Sequence, residues 1–441
     1  MSKDHQIKDS VTSPIYSLGE DRSRIMVVAF VLGLIGIGAA FALSFTSGIN
    51  LRRFSFAYLT NFCFFASISI GAIFFVMSQH LTKAGWSVTL RRIGEMLGMT
   101  ILVMALLFVP IAFFVGAGFE FPYVWNSDSW FSPVSDTDYA ALSKDEQSLY
   151  DIHGKKAMFL NSGFFIIRNI AYFVIWIGIA VFLYRNSLRQ DTTKAKGLTS
   201  RLQALCAPLM ILFVLAMVFA TFDWEMSLAP MWFSTMFPVY FFAGAVLSAM
   251  ATITLIALLL QRSGRITDEV TVDNYHDMGK LMFAFIVFWG YIAFSQFMLI
   301  WYANIPEETF WYNTRFVNPT WKSISIGLLV FHLFIPFLGI MARTVRRSKS
   351  FLFFACIYML AIHWLDHFWL VMPQFDPNSF SGQLDGQTVT AAGFYMPHVE
   401  LLTLLGFAGV FVGSFCLIAG NRPLVPLGDP RLPEALNYHN P

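Results

Sequence analysis

Long apolar stretches separated by short polar segments recur along the whole chain. A helix that crosses a bilayer needs about 20 mainly apolar residues, and ten stretches meet this requirement. The pattern predicts an all-α integral membrane protein. Its predicted spans are Ile25–Phe45, Ser55–Met77, Ile93–Gly118, Ala157–Tyr184, Leu202–Phe222, Thr235–Leu260, Leu281–Tyr302, Trp321–Met341, Phe351–Met372 and Pro397–Ala419.

Polar segments divide the chain into three parts. Residues 1–24 form an N-terminal arm without a small-residue cleavage site, so the first stretch is interpreted as a retained helix rather than a signal peptide. In the ten-span membrane domain, residues 25–420, the long loops 119–156 and 373–396 are interpreted either as docking surfaces for partners or as ordered loops. The tail, residues 421–441, contains five prolines and is expected to lie extended.

Composition and charge agree with a membrane location. Hydrophobic residues make up 56% of the chain and charged residues 13%, against about 25% charged residues in a soluble domain. The net charge of +2 gives no basic surface for nucleic acid. Most Lys and Arg residues lie in the N-terminal arm, the loops after even-numbered spans and the tail. By the positive-inside rule, both termini are expected in the cytoplasm and the two long loops in the periplasm.

The cysteine pattern bears on cofactors. Cys63, Cys206, Cys356 and Cys416 each stand alone inside an apolar stretch. This excludes a CxxCH haem attachment, a CxxC zinc pair and an iron–sulfur ligand set made by this chain. We therefore expect no metal and no redox cofactor bound by this chain.

Charged residues inside spans are costly and persist where they are paired, hydrated or used. Asp273, His276, Asp277 and Lys280 follow one another at i, i+3, i+4 and i+7 near the cytoplasmic start of the seventh span, so they share one helical face. This inner group could pass protons, because histidine titrates near neutrality. The alternative is a salt-bridged helix start whose acids are favoured by the helix dipole.

A middle group consists of Arg168, His332 and His363, which lie near the midplane of their predicted spans. A midplane arginine requires a counter-ion, carbonyl groups or water. The two histidines are interpreted as hydrogen-bonded relay groups, with ligation of a haem b as the alternative.

An outer group lies near the opposite ends of three spans. His363, Asp366 and His367 are spaced at i, i+3 and i+4, which puts them on one face of the ninth span. The group brings carboxylates and imidazoles to a common depth, where they pair or meet water, and a chance scatter of interfacial polar residues is the alternative. Its members are Asp223, Glu225, Asp366, His367, His398 and Glu400.

Four strings of the sequence carry a family resemblance. They are FDWEMSLAPMWFSTMFPVYFFAGAVLSA, TVDNYHDMGKLMFAFIVFWGYIAFSQFMLIWYANIPEE, LLVFHLFIPF and HWLDHFWLVMP. These strings resemble a membrane subunit of alternative complex III, a bacterial quinol oxidoreductase. The chain is most similar to quinone-binding subunit 2, in the polysulphide-reductase-like (NrfD-like) superfamily. The resemblance is strong from Leu202 to Met372 and weaker before it.

The resemblance implies two four-helix bundles, spans 2–5 and spans 6–9, with spans 1 and 10 peripheral. Met231 stands where the family has a histidine in a P-H-W pattern, so any proton route through that histidine is missing here. The family's suspected proton-conducting residues correspond to Asp223, Glu225, Asp273, His276, Asp277, Lys280, His332, His363, Asp366 and His367.

The resemblance also implies a bacterial cytoplasmic (inner) membrane location and a set of partners. These are a homologous NrfD-like membrane subunit, multihaem cytochrome c subunits and an iron–sulfur/molybdopterin-like subunit, and they can include a terminal oxidase. Haem c and iron–sulfur clusters would reside in those partners. Menaquinol or ubiquinol would be the substrate of the complex.

The sequence thus favours a cofactor-free subunit that anchors a quinol-oxidising complex and offers a proton route and part of a quinone site. It supplies bases but no electron acceptor, so electron transfer depends on a neighbouring subunit. A proton-coupled secondary transporter with an anion at Arg168 is the main alternative, although paired Gly/Pro-broken helices are missing from the sequence. A haem b protein using His332 and His363 is a further alternative.

Overall fold

The computed structural model describes residues 16–19, 21–46, 51–127, 130, 136–375, 380–384, 387–391 and 397–440. Most of the N-terminal arm, parts of the two long loops and the last residue of the tail lie outside the described residues. Within the described ranges, ten helices are long and apolar enough to cross a membrane. The predicted number of spans is therefore confirmed.

These helices are named span 1 to span 10 in chain order. They are Asp21–Thr46, Leu51–Leu81, Val88–Gly98 continued by Ile101–Gly116, Ser162–Thr193, Lys196–Trp224, Phe237–Arg262, Val272–Ala303, Pro319–Leu328 continued by Ile335–Met341, Lys349–Val371 and His398–Ala419.

Shorter elements lie between the spans. The helices are Asp136–Ala141, Lys144–Ala157, Pro306–Phe316, Arg343–Arg346 and Leu432–Leu436, with single 3₁₀ turns at Val124–Asn126, Met226–Leu228 and Met372–Gln374. One antiparallel hairpin, β1 (Phe380–Leu384) with β2 (Gln387–Ala391), departs from the all-α expectation. The described membrane domain itself is helical.

Span 8 departs from a regular α-helix in its middle. It passes through a π-helical segment, Leu329–Phe334, that contains His332. Pro336 lacks the N–H that a regular helix would donate to the carbonyl of residue 332. Widened turns of this kind occur often at functional sites.

The spans pack into two rings. Spans 2 and 4 each contact spans 3 and 5, while spans 6 and 8 each contact spans 7 and 9. Spans 2 and 6 are the most buried of the ten and pack against each other. Their backbones approach so closely that a side chain added at Gly71 would overlap the Ala245 carbonyl.

Span 1 lies along span 10 in a contact built from glycines. A Cβ atom at Gly36 would lie 2.7 Å from the Gly406 nitrogen, and one at Gly406 would lie 2.7 Å from the Ile37 nitrogen. Small residues allow such close approach between membrane helices. Span 10 also contacts span 2, while most of span 1 is exposed.

The loops define two faces of the molecule. The odd-loop face carries the loops after spans 1, 3, 5, 7 and 9, and the even-loop face carries the loops after even-numbered spans. Both described chain ends meet at the even-loop face, where Leu424 N donates to the Tyr16 carbonyl at 2.7 Å. Tyr16 Oη in turn donates to Glu269, between spans 6 and 7, at 2.8 Å.

The C-terminal tail differs from the extended segment expected from its prolines. It contains the helix Leu432–Leu436, in which Leu432 and Ala435 are buried. Gly428 N donates to Asp191 at the end of span 4, at 3.0 Å. These contacts fold the tail back across the even-loop face.

Candidate functional site

Arg168 of span 4 is held by Asp223 at the end of span 5. The guanidinium donates two hydrogen bonds to the carboxylate, at 2.9 and 2.6 Å, and a third to the Phe159 carbonyl at 2.8 Å. Tyr172 donates to the same carboxylate at 2.9 Å. The rings of Phe159 and Phe164 cover the guanidinium, with centroids 3.8 and 4.2 Å away. The pair is buried, so each charge depends on the other for compensation.

The depth of Arg168 differs from the sequence-based prediction of a midplane charge. Span 4 begins at Ser162 and continues to Thr193, so Arg168 lies six residues from its start, about 9 Å along the axis. Asp223 is the penultimate residue of span 5. The ion pair therefore lies near the odd-loop ends of both helices, and the midplane assignment is corrected.

Two histidines of span 9 link spans 2 and 5. His363 and His367 are one turn apart and their ring centroids are separated by 4.7 Å. His367 Nδ1 lies 2.6 Å from Glu225 Oε1, at the end of span 5. His363 Nε2 lies 2.9 Å from Ser67 Oγ in span 2. All four side chains are buried, so this contact runs through the interior where the two rings of helices meet.

Asp366 of span 9 points to a second set of partners. Its carboxylate accepts hydrogen bonds from Tyr240 of span 6 and from Trp289 Nε1 of span 7, the latter at 3.2 Å. His332 Nδ1 lies 3.8 Å from the same carboxylate, and its ring stacks on Trp289 with centroids 3.8 Å apart. The His332 and His363 centroids are separated by 6.5 Å, so the two sets adjoin.

We call these five buried titratable residues the central network: Glu225, His332, His363, Asp366 and His367. Several of its polar atoms have no hydrogen-bond partner among the described residues. They are both ring nitrogens of His332, His363 Nδ1, His367 Nε2 and Glu225 Oε2. Buried polar atoms without a protein partner are usually satisfied by water. Water at these atoms would offer proton-exchange partners to four of the five groups, and the fifth, Asp366, lies 3.8 Å from His332 Nδ1.

An apolar cavity of about 330 Å³ lies between spans 6–9 beside the central network. This volume is at the lower end of the range of small-molecule sites. Tyr240 and Trp289, whose polar atoms bind Asp366, line the cavity, and Gln296 and Ser325 add polar side chains. A ligand in the cavity would therefore be one side chain away from Asp366.

The inner group forms at the even-loop end of span 7. Lys280 Nζ lies 2.8 Å from Asp277, and Arg347 pairs with Asp273. His276 is buried, and neither of its ring nitrogens has a hydrogen-bond partner among the described residues. The ion pairs fit the interpretation as a salt-bridged helix start, and the proton-passing role of the group stays a prediction.

A gap separates the inner group from the central network. Asp277 and Trp289 are twelve residues apart on span 7, which corresponds to about 18 Å along the axis. On span 6, the hydroxyls of Ser248 and Thr252 both donate to carbonyls of their own helix. These two hydroxyls therefore do not bridge the distance, and a proton route across it would use water.

Glu400 and His398, at the start of span 10, lie apart from the central network. Glu400 is buried and accepts two hydrogen bonds from Arg53 of span 2, both at 3.0 Å. His398 is exposed. Of the outer group as predicted, Glu400 pairs with Arg53 rather than with another member, and His398 is exposed where water can reach it.

Sequence reasoning missed a buried charge cluster at the even-loop end of span 3. Arg92 lies 3.1 Å from Glu95 and 2.8 Å from Asp191. Arg91 lies 3.5 Å from Glu95 and also pairs with Asp429. The sequence did contain a signal for this cluster. Two arginines stand three and four residues before a glutamate, a spacing that brings opposite charges together on one face of a helix. The cluster joins spans 3 and 4 to the tail.

Arg315, beside the cavity, was also missed. Its guanidinium lies 3.5 Å from the Trp311 ring centroid and donates to the carbonyls of Trp311, Trp369 and Leu370. Burial lowers the pKa of Arg315 to about 9. Arginine in proteins keeps its charge through neutral pH, so a cation lies close to residues that line the cavity.

The middle of the chain matches a known protein family. Residues 157–375 match the polysulphide reductase family, NrfD. The match covers just under half of the chain, and no curated protein matches the sequence. Together with the ten apolar helices, it indicates an NrfD-like, multi-pass membrane protein.

The NrfD-matching segment contains most of the candidate site. The Arg168–Asp223 pair, the central network and the inner group all lie within residues 157–375. The Arg53–Glu400 pair, Ser67 and the C-terminal tail lie outside it.

Proposed function

We propose that the chain is a cofactor-free membrane subunit of an alternative complex III, which oxidises quinol and passes electrons to cytochrome c or an oxidase. It anchors the complex in the bacterial cytoplasmic membrane and conducts protons. Its partners are a homologous NrfD-like subunit, multihaem cytochrome c subunits, an iron–sulfur/molybdopterin-like subunit and a terminal oxidase. The family match supports the kind of subunit, and the four resembling strings support the particular complex.

The observation that carries the proposal is the central network. Five titratable side chains from spans 5, 8 and 9 are buried together, and Tyr240 of span 6 donates to one of them. Ionisable groups kept inside a membrane protein commonly form proton relays. Their unpartnered nitrogen and oxygen atoms are suitable ends for water links.

We further propose that the cavity between spans 6–9 forms part of a quinone site. Its aromatic lining fits a flat ring with an apolar tail, and Gln296 and Ser325 are suited to bind ring oxygens. Oxidation of a quinol releases two protons and two electrons. Asp366, reached through Tyr240, would act as the general base, and a partner's redox centre would take the electrons.

The proposal includes the arrangement and orientation of the helices. Spans 2–5 and spans 6–9 form two four-helix bundles with spans 1 and 10 at the periphery, which the ring-like contacts support. The even-loop face, with both termini, lies in the cytoplasm, as the excess of Lys and Arg there supports.

Neither alternative function gains support from the site. A transporter with an anion at Arg168 would need to displace a buried ion pair. For haem b ligation through Nε2, His363 would lose its hydrogen bond to Ser67, and the cavity between spans 6–9 is lined by neither histidine. An optical spectrum of the purified subunit tests the cofactor-free assignment, which a haem band would contradict.

Asp366→Asn tests the proton route in the assembled complex, reconstituted in vesicles. Loss of the titratable group should slow proton transfer through the network by about 100-fold, so fewer protons cross per electron. The asparagine oxygen can still accept from Tyr240 or Trp289, so assembly should be retained. Glu307→Gln, at an exposed acid on the odd-loop face, is the control. An unchanged proton-to-electron ratio in Asp366→Asn would contradict the proposed route.

A further inference from the structure

The last residues of the C-terminal tail bind the two acids at the start of span 7. Tyr438 Oη donates to Asp277 Oδ2 at 2.6 Å, and Asn440 donates to the other oxygen of the same carboxylate. His439 Nδ1 lies 3.6 Å from Asp273 Oδ2. Three consecutive tail residues thus contact the carboxylates at the even-loop end of the proposed proton route.

The tail is anchored well before these contacts. Asp429 pairs with Arg91, and Arg92 donates to the Pro423 carbonyl at 3.5 Å. The helix Leu432–Leu436 then buries two apolar side chains. Because these contacts fix the tail before residue 438, residues 438–440 lie at a defined position beside span 7.

The tail covers the acids but leaves its own imidazole in water. The Asp273 and Asp277 side chains are only 12% and 10% exposed, whereas the His439 side chain is 87% exposed. Lys280 lies 2.8 Å from Asp277, and Arg347 pairs with Asp273. The buried His276 beside them interacts electrostatically with Asp277, Arg343 and Arg346. His439 therefore stands between bulk water and two carboxylates that have little direct access to it.

Tyr438 and His439 differ in what they can do with a proton. Burial raises the pKa of Tyr438 to about 12, and the hydrogen bond to Asp277 acts in the same direction. Its phenol stays protonated at physiological pH, so it can hold the carboxylate without carrying protons. Histidine is the side-chain type that takes up and releases protons near neutral pH.

We propose that His439 collects protons from water for the inner group, and that Tyr438 and Asn440 position Asp277 behind it. The inference rests on the proposed function. The imidazole binds a proton from water, becomes cationic, and passes a proton from Nδ1 to the nearby Asp273 carboxylate. A proton taken up at Nε2 and released from Nδ1 leaves the neutral ring as its other tautomer. Exchange of the ring protons with water restores the starting tautomer, so each full cycle moves one proton.

His439→Ala in the assembled complex tests the collecting role. Proton uptake at the even-loop face should fall severalfold, and free imidazole in the buffer should restore it by replacing the missing carrier. Asn437→Ala is the matched control, because Asn437 is exposed and bonds only within the tail, to the Pro433 carbonyl. Normal uptake in His439→Ala, or a loss that imidazole does not restore, would overturn the inference.

Two further measurements separate the possible failures. Removal of residues 437–441 should raise carbodiimide labelling of Asp277 severalfold, measured by mass spectrometry without quinol turnover, and unchanged labelling would overturn the positioning role. Asp366→Asn is assayed in the same vesicles. If it is impaired while His439→Ala is normal, the tail inference alone fails. If both are normal, the proposed function fails and the tail inference falls with it.

Discussion

Replacing Asp223 by Asn should destabilise the protein far more than loss of a surface charge would. Asp223 is fully buried and receives two hydrogen bonds from Arg168 and one from Tyr172. Removing one partner of a buried ion pair costs about 3 to 5 kcal/mol. Arg168 keeps its hydrogen bond to the Phe159 carbonyl and its contacts with two aromatic rings. These contacts reduce the loss of stability by about 1 kcal/mol. The expected net loss is therefore about 2 to 4 kcal/mol.

The assay is reversible unfolding of the purified protein in mixed micelles, followed by the fluorescence of its 12 tryptophans. Glu307→Gln removes an exposed acid and should stay within about 0.5 kcal/mol of the native protein. The double variant Arg168→Met/Asp223→Leu removes both charges and should be more stable than Asp223→Asn. Native-like stability of Asp223→Asn, or a double variant no better than the single one, would refute the reasoning. A stable Asp223→Asn that pumps fewer protons would instead identify Asp223 as a proton carrier.

Two other predictions concern the packing of the first and last spans. Gly36→Leu should lower the free energy of unfolding by about 1 to 3 kcal/mol, because the leucine forces spans 1 and 10 apart. Gly38 lies in the same helix with open space around it, so Gly38→Leu should be neutral in the same unfolding assay. Equal effects of the two would contradict the glycine contact. Glu400→Gln should cost about 3 to 5 kcal/mol by removing the carboxylate that faces Arg53. Replacing both residues by Met should recover most of that loss, and no recovery would show that the pair is not the cause.

The number of spans could be predicted because insertion into a bilayer depends on local apolar length. The contact between His363 and His367 could also be anticipated, since one helical turn separates them. The depth of Arg168 could not be predicted from the sequence. It depends on where span 4 begins, and the polar segment before Ser162 forms a helix of its own rather than part of the span.

Partners far apart in the sequence were beyond reach of local patterns. Glu400 was grouped with Asp366 because both lie at the same predicted depth, yet depth does not tell which helices are neighbours. The tail was expected to be extended because of its prolines. Its polar residues instead match charges on spans 3, 4 and 7, and only the folded helices bring those charges together.

The two halves of the Arg53–Glu400 ion pair are synthesised far apart in time. Arg53 leaves the ribosome 347 residues ahead of Glu400. At about 5 to 20 residues per second, the carboxylate follows roughly 20 to 70 seconds later. Span 2 therefore enters the membrane long before span 10 completes its surroundings. Spans 3 to 9 can be inserted in the meantime, but Arg53 gains the carboxylate that neutralises it only after span 10 has been made.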